Sequence, residues 1–488
     1  MKPILRATAI LGSSSMVTIA MGLISSKAWA ILLGPDGLGF MGLLQSVVGL
    51  SGLIAGMGVG VGLVRMAAGA LARDEQMQVA ALRRAAWLLA LVLGSLAVLV
   101  LAVLRVPISR WMLGGEEHAG YVVLMGAALM FSLATGIQTS TLNAYHRVGA
   151  LAKISVLTSV IGTTINVTMV WLWRIHGIVP AIIAAAGVQC AIAHYFVRRE
   201  LREAPASRSL HPPRREVLKA ARSLLRFGLP YTASMVVGAG VQFVLPVLVL
   251  NRLGTENVGF FKAATTVSVS YLGFLLTAMS QDYYPRVAAA GDQADTLVHL
   301  VNQQHRLVMM LAVPMILGTL ALAPYLIPLV YSAKFAPTVE VLEWQLIGDL
   351  FKFSSWTMSF IILTRSGSST YFFMELVGGA TTLLLCWLGM SWFGLAGLGI
   401  GFLGAYLVYY VLVSVIVRRE IPLVWSGENK LLLLLAILAA VVIRSLPFVG
   451  LETLRTPLAL SFAMLAGLAS IYTIRREMGR DGKVVHGV

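Results

Sequence analysis

The chain has 488 residues, 58% of them apolar and only 12% charged, with a mean hydropathy of +0.84. A soluble chain would carry about a quarter charged residues. Composition therefore excludes a soluble globular enzyme, a disordered chain and a secreted disulfide scaffold. There are 37 Lys and Arg against 21 Asp and Glu, a formal net charge of +16. In so apolar a chain that excess points to cytoplasmic loops and anionic lipid headgroups, not to nucleic acid.

Lipid accepts only helices or closed barrels as spans. The apolar runs are long and continuous, as in 88–104 and 431–443, whereas barrel strands alternate over about ten residues. The expected fold is an all-α polytopic membrane protein. Fourteen segments have span length: roughly 5–33, 40–66, 84–105, 119–145, 150–173, 178–198, 223–250, 257–285, 301–326, 337–363, 369–391, 395–417, 430–449 and 457–474. Lys2 and Arg6, an apolar stretch and Ala28-Trp29-Ala30 imitate a secretory signal with its cleavage site. A retained first helix is expected, because the region recurs later in the chain. With the N-terminus inside, most Lys and Arg fall in inside loops, so both termini are expected in the cytoplasm. The two cysteines, Cys190 and Cys386, lie in apolar segments and offer no disulfide framework or zinc-type spacing. Neither a metal nor a cofactor is expected.

The sequence repeats at an offset near 220. Leu33-Gly34 and Gly39-Phe40 match Leu253-Gly254 and Gly259-Phe260. Val197-Arg198-Arg199-Glu200 matches Val417-Arg418-Arg419-Glu420, and Arg147-Val148-Gly149 pairs with Arg365-Ser366-Gly367. The reading is a six-helix half at 1–200, a basic cytoplasmic linker at 201–222, a second six-helix half at 223–420, and two additional helices with a tail at 421–488. Parallel repeats of this kind enclose a central cavity and suit alternating access.

The run Gly22-Leu23-Ile24-Ser25-Ser26-Lys27 through Gly34-Pro35-Asp36-Gly37-Leu38-Gly39 resembles the start of the Wzx-type polysaccharide flippases. So do Lys334-Phe335 and Trp344-Gln345-Leu346-Ile347-Gly348-Asp349-Leu350-Phe351-Lys352. The likeness covers about residues 5–420 and is strongest to the O-antigen and enterobacterial common antigen translocases. These belong to the multidrug/oligosaccharidyl-lipid/polysaccharide (MOP) exporter superfamily, with the MATE multidrug extruders and the lipid II flippase. Wzx members commonly have twelve helices, so spans thirteen and fourteen are a departure. The resemblance implies a transporter, not an enzyme. Its cargo would be an undecaprenyl-pyrophosphate-linked oligosaccharide, moved from the cytoplasmic to the periplasmic leaflet of the bacterial inner membrane. The purpose would be O-antigen or exopolysaccharide synthesis, without nucleotide hydrolysis. It also implies membrane lipids, a polysaccharide polymerase and a chain-length regulator as partners, and a monomer. A multidrug or cation antiporter and a lipid II-type flippase are the alternatives; a membrane polysaccharide polymerase is a remote one.

Charges at membrane depth are costly and usually face a cavity or each other. Lys27, Lys262 and Lys352 are the candidate cavity cations for the pyrophosphate. Three intramembrane lysines argue against a cavity for cationic drugs. Asp349 and Lys352 stand three residues apart on one helix face and are, with Glu375, candidates for ion pairing or proton coupling. Arg65, Arg147, Asp282, Arg286 and Arg365 lie near inner span ends as inner-gate candidates, with interface anchoring as the plain alternative. Glu340 and Glu343 read as helix caps. Gly52, Gly56, Gly58, Gly60 and Gly62 read as close packing, not as a phosphate loop. The driving force would be the proton gradient or the membrane potential; an interior negative potential expels anions, at about 2.3 kcal/mol per charge per 100 mV.

Overall fold

A computed structural model describes residues 2–202, 212–291 and 293–485. Among them every regular element is helical, as composition required. Among the described residues nine helices are long and apolar enough to cross a membrane, ten if a bent pair is one span. Two of the nine, Ser14–Gly56 and Val148–Leu201, run 43 and 54 residues, well beyond the roughly 20 that one crossing needs. The expected segments 5–33 and 40–66 fall in or beside the first, and 150–173 and 178–198 in the second.

By internal contacts the chain forms two compact units, Met1–Gly259 and Phe260–Val488. The first unit begins with α1 (Lys2–Gly56), whose helix is broken at Gly34, φ 70° and ψ −171°, just before Pro35. Only glycine takes that backbone without strain, and the following proline has no N–H to continue the ladder. A second break, at Met57 (φ 41°) and Gly58 (φ 60°), separates α1 from α2 (Val59–Ala72). The unit continues through α3 (Gln76–Val103), α4 (Arg105–Leu113), α5 (Ala119–Ala144), α6 (Val148–Trp173), α7 (Ile178–Arg202) and α8 (Arg214–Leu253). Its core at one end joins Leu63 and Ala67 of α2, Leu82 and Ala85 of α3, and Val217, Ala220 and Leu224 of α8.

The start of α9 (Thr255–Thr265), which still belongs to the first unit, explains why the Gly39 and Gly259 motifs recur. A Cβ added at Gly39 would meet the Thr255 carbonyl and the Gly259 amide; one added at Gly259 would meet the Pro35 carbonyl. The two copies of the motif rest backbone on backbone, which only glycine permits.

The second unit runs on from α9 through a π-turn at 266–271, then α10 (Gly273–Ala290), α11 (Ala294–Val330) and α12 (Thr338–Ile361). Another π-turn, at 362–366, leads to α13 (Gly367–Phe393), α14 (Ala396–Glu420), α15 (Gly427–Ser445) and α16 (Glu452–Val485). Here α12 is the buried axis; from Val341 to Leu350 most of its side chains are sealed from solvent, whichever way they point. The α14 helix packs on it through Gly399, whose added Cβ would strike Val341 and Trp344.

The glutamates of the offset-220 match each make one contact inside their own unit. In the first, Arg147 at the start of α6 lies 3.4 Å from Glu200 near the end of α7. In the second, Ser366 before α13 donates to Glu420 at the end of α14, at 2.8 Å. Glu200 and Glu420 are the matched glutamates of the offset-220 pair.

Candidate functional site

The most polar interior belongs to the second unit and is built around α12. Asp349 is completely buried. It accepts from the Ser268 hydroxyl at 2.8 Å and from Lys352 Nζ at 3.0 Å. Lys352 follows by three residues, so the helix brings the two charges together unaided. Ser268 arrives from the π-turn at 266–271; the extra residue in such a turn re-aims side chains across a helix. The ammonium of Lys352 lies about 6 Å from the ring centres of Phe353, Phe402 and Tyr406. Aromatic faces attract a cation and partly replace its lost water. One turn before Asp349, Gln345 is buried with its side-chain carbonyl unbonded.

A further tyrosine extends this polar interior to α13. Tyr406 packs edge-on to Tyr409, ring centres 6.2 Å apart. The Tyr409 hydroxyl donates to Glu375 at 2.7 Å. Glu375 is thus held by a phenol, while Asp349 is held by an ammonium and a serine. Sequence reasoning singled out both carboxylates but missed Ser268, Tyr406 and Tyr409. The Tyr406–Tyr409 spacing on the face of an intramembrane helix was the available signal.

Glu343, read from sequence as a cap, has a different place. It is buried and bracketed by two guanidiniums, Arg444 Nε at 2.8 Å and Arg455. Arg444 also lies 3.7 Å from Glu340 and over the Trp344 ring. The arginines close α15 and open α16, so this cluster fastens the two additional helices to α12. At the opposite end of α15, Asn429 donates to the Asn302 carbonyl at 2.9 Å, and His305 bonds Ser354 at 3.1 Å beneath Trp425.

The other candidates are dispersed. Lys262 sits half-buried on α9, and among the described residues no ion pair reaches it. Lys27 is half-buried on α1, seven residues before the Gly34 break. Arg65 on α2 is exposed, its guanidinium 5.1 Å over the Phe227 ring. Arg286 is exposed and reaches the Gln304 side chain at 3.5 Å, while Arg365 is half-buried in the π-turn at 362–366. The Asp282 side chain lies outside the described residues. Most of the glycine run does more than pack: Gly52, Gly56, Gly58 and Gly60 line an apolar cavity of about 450 Å³ in the first unit, edged by Ser132, Ser140 and Thr232.

Residues 28–340 match the family described as "Polysaccharide biosynthesis protein". The chain belongs to this family. Two curated relatives, the lipid III flippases of Escherichia coli K12 and Shigella flexneri, are each 24% identical over 417 residues. That alignment covers 82% of this chain and 94% of theirs. Among solved structures, the lipid II flippase MurJ in an inward closed conformation superposes with TM-score 0.73 at 13% identity, over 96% of this chain and 99% of that one. An inward-facing multidrug resistance MATE transporter of the MOP superfamily superposes with TM-score 0.62 at 16% identity, covering 87% and 98%. This family member therefore has the MurJ/MATE fold and is a multi-pass membrane protein.

Proposed function

We propose that the chain is a flippase for an undecaprenyl-pyrophosphate-linked oligosaccharide, carrying it from the cytoplasmic to the periplasmic leaflet of the inner membrane. Similarity along 94% of the lipid III flippases supports the cargo class. The observation that carries the mechanism is the buried Asp349–Lys352 pair. A pyrophosphate crossing about 30 Å of hydrocarbon needs a substitute for water and counter-charge. Lys27, Lys262 and Lys352 supply the counter-charge, Lys352 by exchanging its carboxylate partner for the phosphate. Asp349, released from Lys352, takes up a proton, and Glu375 beside Tyr409 is a second coupling carboxylate. Two repeats of six helices, with α15 and α16 appended, alternate their access; Arg65, Arg147, Asp282, Arg286 and Arg365 serve the inner gate. The membrane potential expels the anionic head group and adds to the proton gradient. O-antigen or exopolysaccharide is the end product, made with a polymerase and a chain-length regulator.

Deletion and complementation test this reading. Deletion is expected to leave lipid-linked repeat units on the inner face and to abolish the surface polymer. Lys27→Ala, Lys262→Ala and Lys352→Ala, inserted at normal levels, are expected not to restore it. Full restoration by all three would remove the phosphate assignment.

A further inference from the structure

The α8 helix is too long for one crossing. Its 40 residues measure about 60 Å, twice the hydrocarbon thickness. It is bent by 53° between an arm Arg214–Ala233 and a second arm Gly238–Leu253. The first arm is two-faced. Val217, Ala220 and Leu224 are buried against α2 and α3. Gly228 is pressed so close to the Met57–Gly58 break that a Cβ there would meet the Met57 carbonyl. These contacts fix which face turns outward.

That outward face carries Arg215, Lys219, Arg222 and Arg226, all exposed. Their spacing of four, three and four residues makes one continuous stripe. Lys219 is paired with Glu216 at 2.8 Å. Arg215, Arg222 and Arg226 have no acidic partner among the described residues. Beside the stripe stand two bare leucines, Leu218 at 61% exposure and Leu229 at 52%. Leu218 follows Arg215 by three residues and precedes Arg222 by four, so guanidiniums flank it on both sides. A soluble acidic partner would match the charges and leave the leucines in water. An anionic bilayer surface matches both: phosphates for the guanidiniums, and the upper acyl region for the leucines.

We propose that the arm Arg214–Ala233 is a docking surface for anionic phospholipid headgroups, seated on the membrane by Arg215, Arg222 and Arg226 and by the side chains of Leu218 and Leu229. The lipid contact is separate from the cargo site and independent of which glycan is carried. By holding the arm on the leaflet, the headgroups brace the α1–α2 break against which Gly228 is packed.

The test uses the full chain with Cys190→Ser and Cys386→Ala, and an environment-sensitive fluorophore on Leu218→Cys. It is placed in nanodiscs of phosphatidylcholine alone or with roughly 30% phosphatidylglycerol, an anionic fraction that attracts such basic clusters. Expected is a blue-shifted emission with phosphatidylglycerol that high salt reverses. Arg215→Gln/Arg222→Gln/Arg226→Gln is expected to abolish most of the shift at that phosphatidylglycerol fraction. The triple lysine replacement at the same positions, which keeps the charge, is expected to retain the shift and controls for folding. Equal emission in both lipids overturns the proposal. So does a shift that survives both high salt and the glutamine variant. A shift with polyglutamate on phosphatidylcholine discs and none with phosphatidylglycerol assigns the face to an acidic protein and also overturns it. A shift with undecaprenyl pyrophosphate alone, and none with phosphatidylglycerol, moves the site to the cargo and does the same.

Discussion

Neutralising Asp349 and Lys352 singly and together separates a structural pair from a functional one. Opposite charges 3.0 Å apart attract by about 5.5 kcal/mol at an effective dielectric of about 20. Burial of the two ions offsets much of that, so the net worth of the pair is small. Its loss by halves is not. Asp349 is fully buried and the Lys352 side chain only 12% exposed, so either single variant strands a charge in the core of the second unit. Lys352→Met and Asp349→Leu are each expected to cost about 3–5 kcal/mol. The double variant is expected to regain most of this, because two apolar side chains of similar volume fill the same space. Denaturant unfolding of the purified protein, followed by tryptophan fluorescence, gives the stabilities; surface polysaccharide in a complemented deletion strain gives transport. If the pair serves only to neutralise two buried charges, the double variant restores both. The proposed exchange of Asp349 for phosphate requires restored stability with no polymer. A single variant as stable as the parent would refute the burial argument, and polymer from the double variant would refute the transport role.

Glu343→Ala strands Arg444 and Arg455 beside α12, and about 3–5 kcal/mol of local stability should go with it. Hydrogen exchange should then quicken in α15 and α16 and stay unchanged in α5 to α7. Gly39→Val and Gly259→Val force a side chain against backbone, with an expected loss of at least about 1–3 kcal/mol. Gly22→Ala, where no heavy atom lies within 4 Å, is the matched control and should gain about 0.5–1 kcal/mol from helix propensity. Tyr409→Phe removes the hydrogen bond donated to Glu375, so a loss of about 1 kcal/mol in the same unfolding assay is expected.

The helical fold was legible because hydrophobic length is dictated by the bilayer and every expected segment is long and apolar. The matched short motifs have a different reason: Gly39 and Gly259 meet backbone on backbone, and Glu200 and Glu420 each bond a residue at the start of the preceding helix. The Asp349–Lys352 contact was legible because helical geometry alone joins residues three apart. Glu343 was misread because its partners lie more than a hundred residues away, on α15 and α16. A glutamate in the opening turns of a helix fits the dipole equally well whether it faces water or two arginines, and local pattern cannot separate these. Ser268 was invisible for a related reason. Its orientation depends on a π-turn, which has no composition of its own, and a hydroxyl in a span gives no charge signal.

The two units satisfy their interiors by different chemistry, and that difference predicts where the chain gives way. In Phe260–Val488 the buried acids Asp349 and Glu343 are ion-paired, and separating such pairs in low dielectric costs several kcal/mol. In Met1–Gly259 the described ion pairs, such as Arg73–Glu75 and Arg147–Glu200, keep exposed or half-exposed partners, and close approach is made by glycine. Glycine contacts carry no stranded charge when they part. The same unit holds Met57 in the left-handed region, a conformation costing roughly 1–2 kcal/mol for a residue with a side chain. The α1–α2 break at 56–58 should therefore open more readily than α12. In nanodiscs, amides of residues 54–62 are expected to exchange at least tenfold faster than those of 341–358, the ratio that about 1.4 kcal/mol produces. Met57→Gly relieves the strained backbone and should slow exchange on both sides of the break. Equal protection of the two segments would mean that buried charge does not set the stiffness of the units.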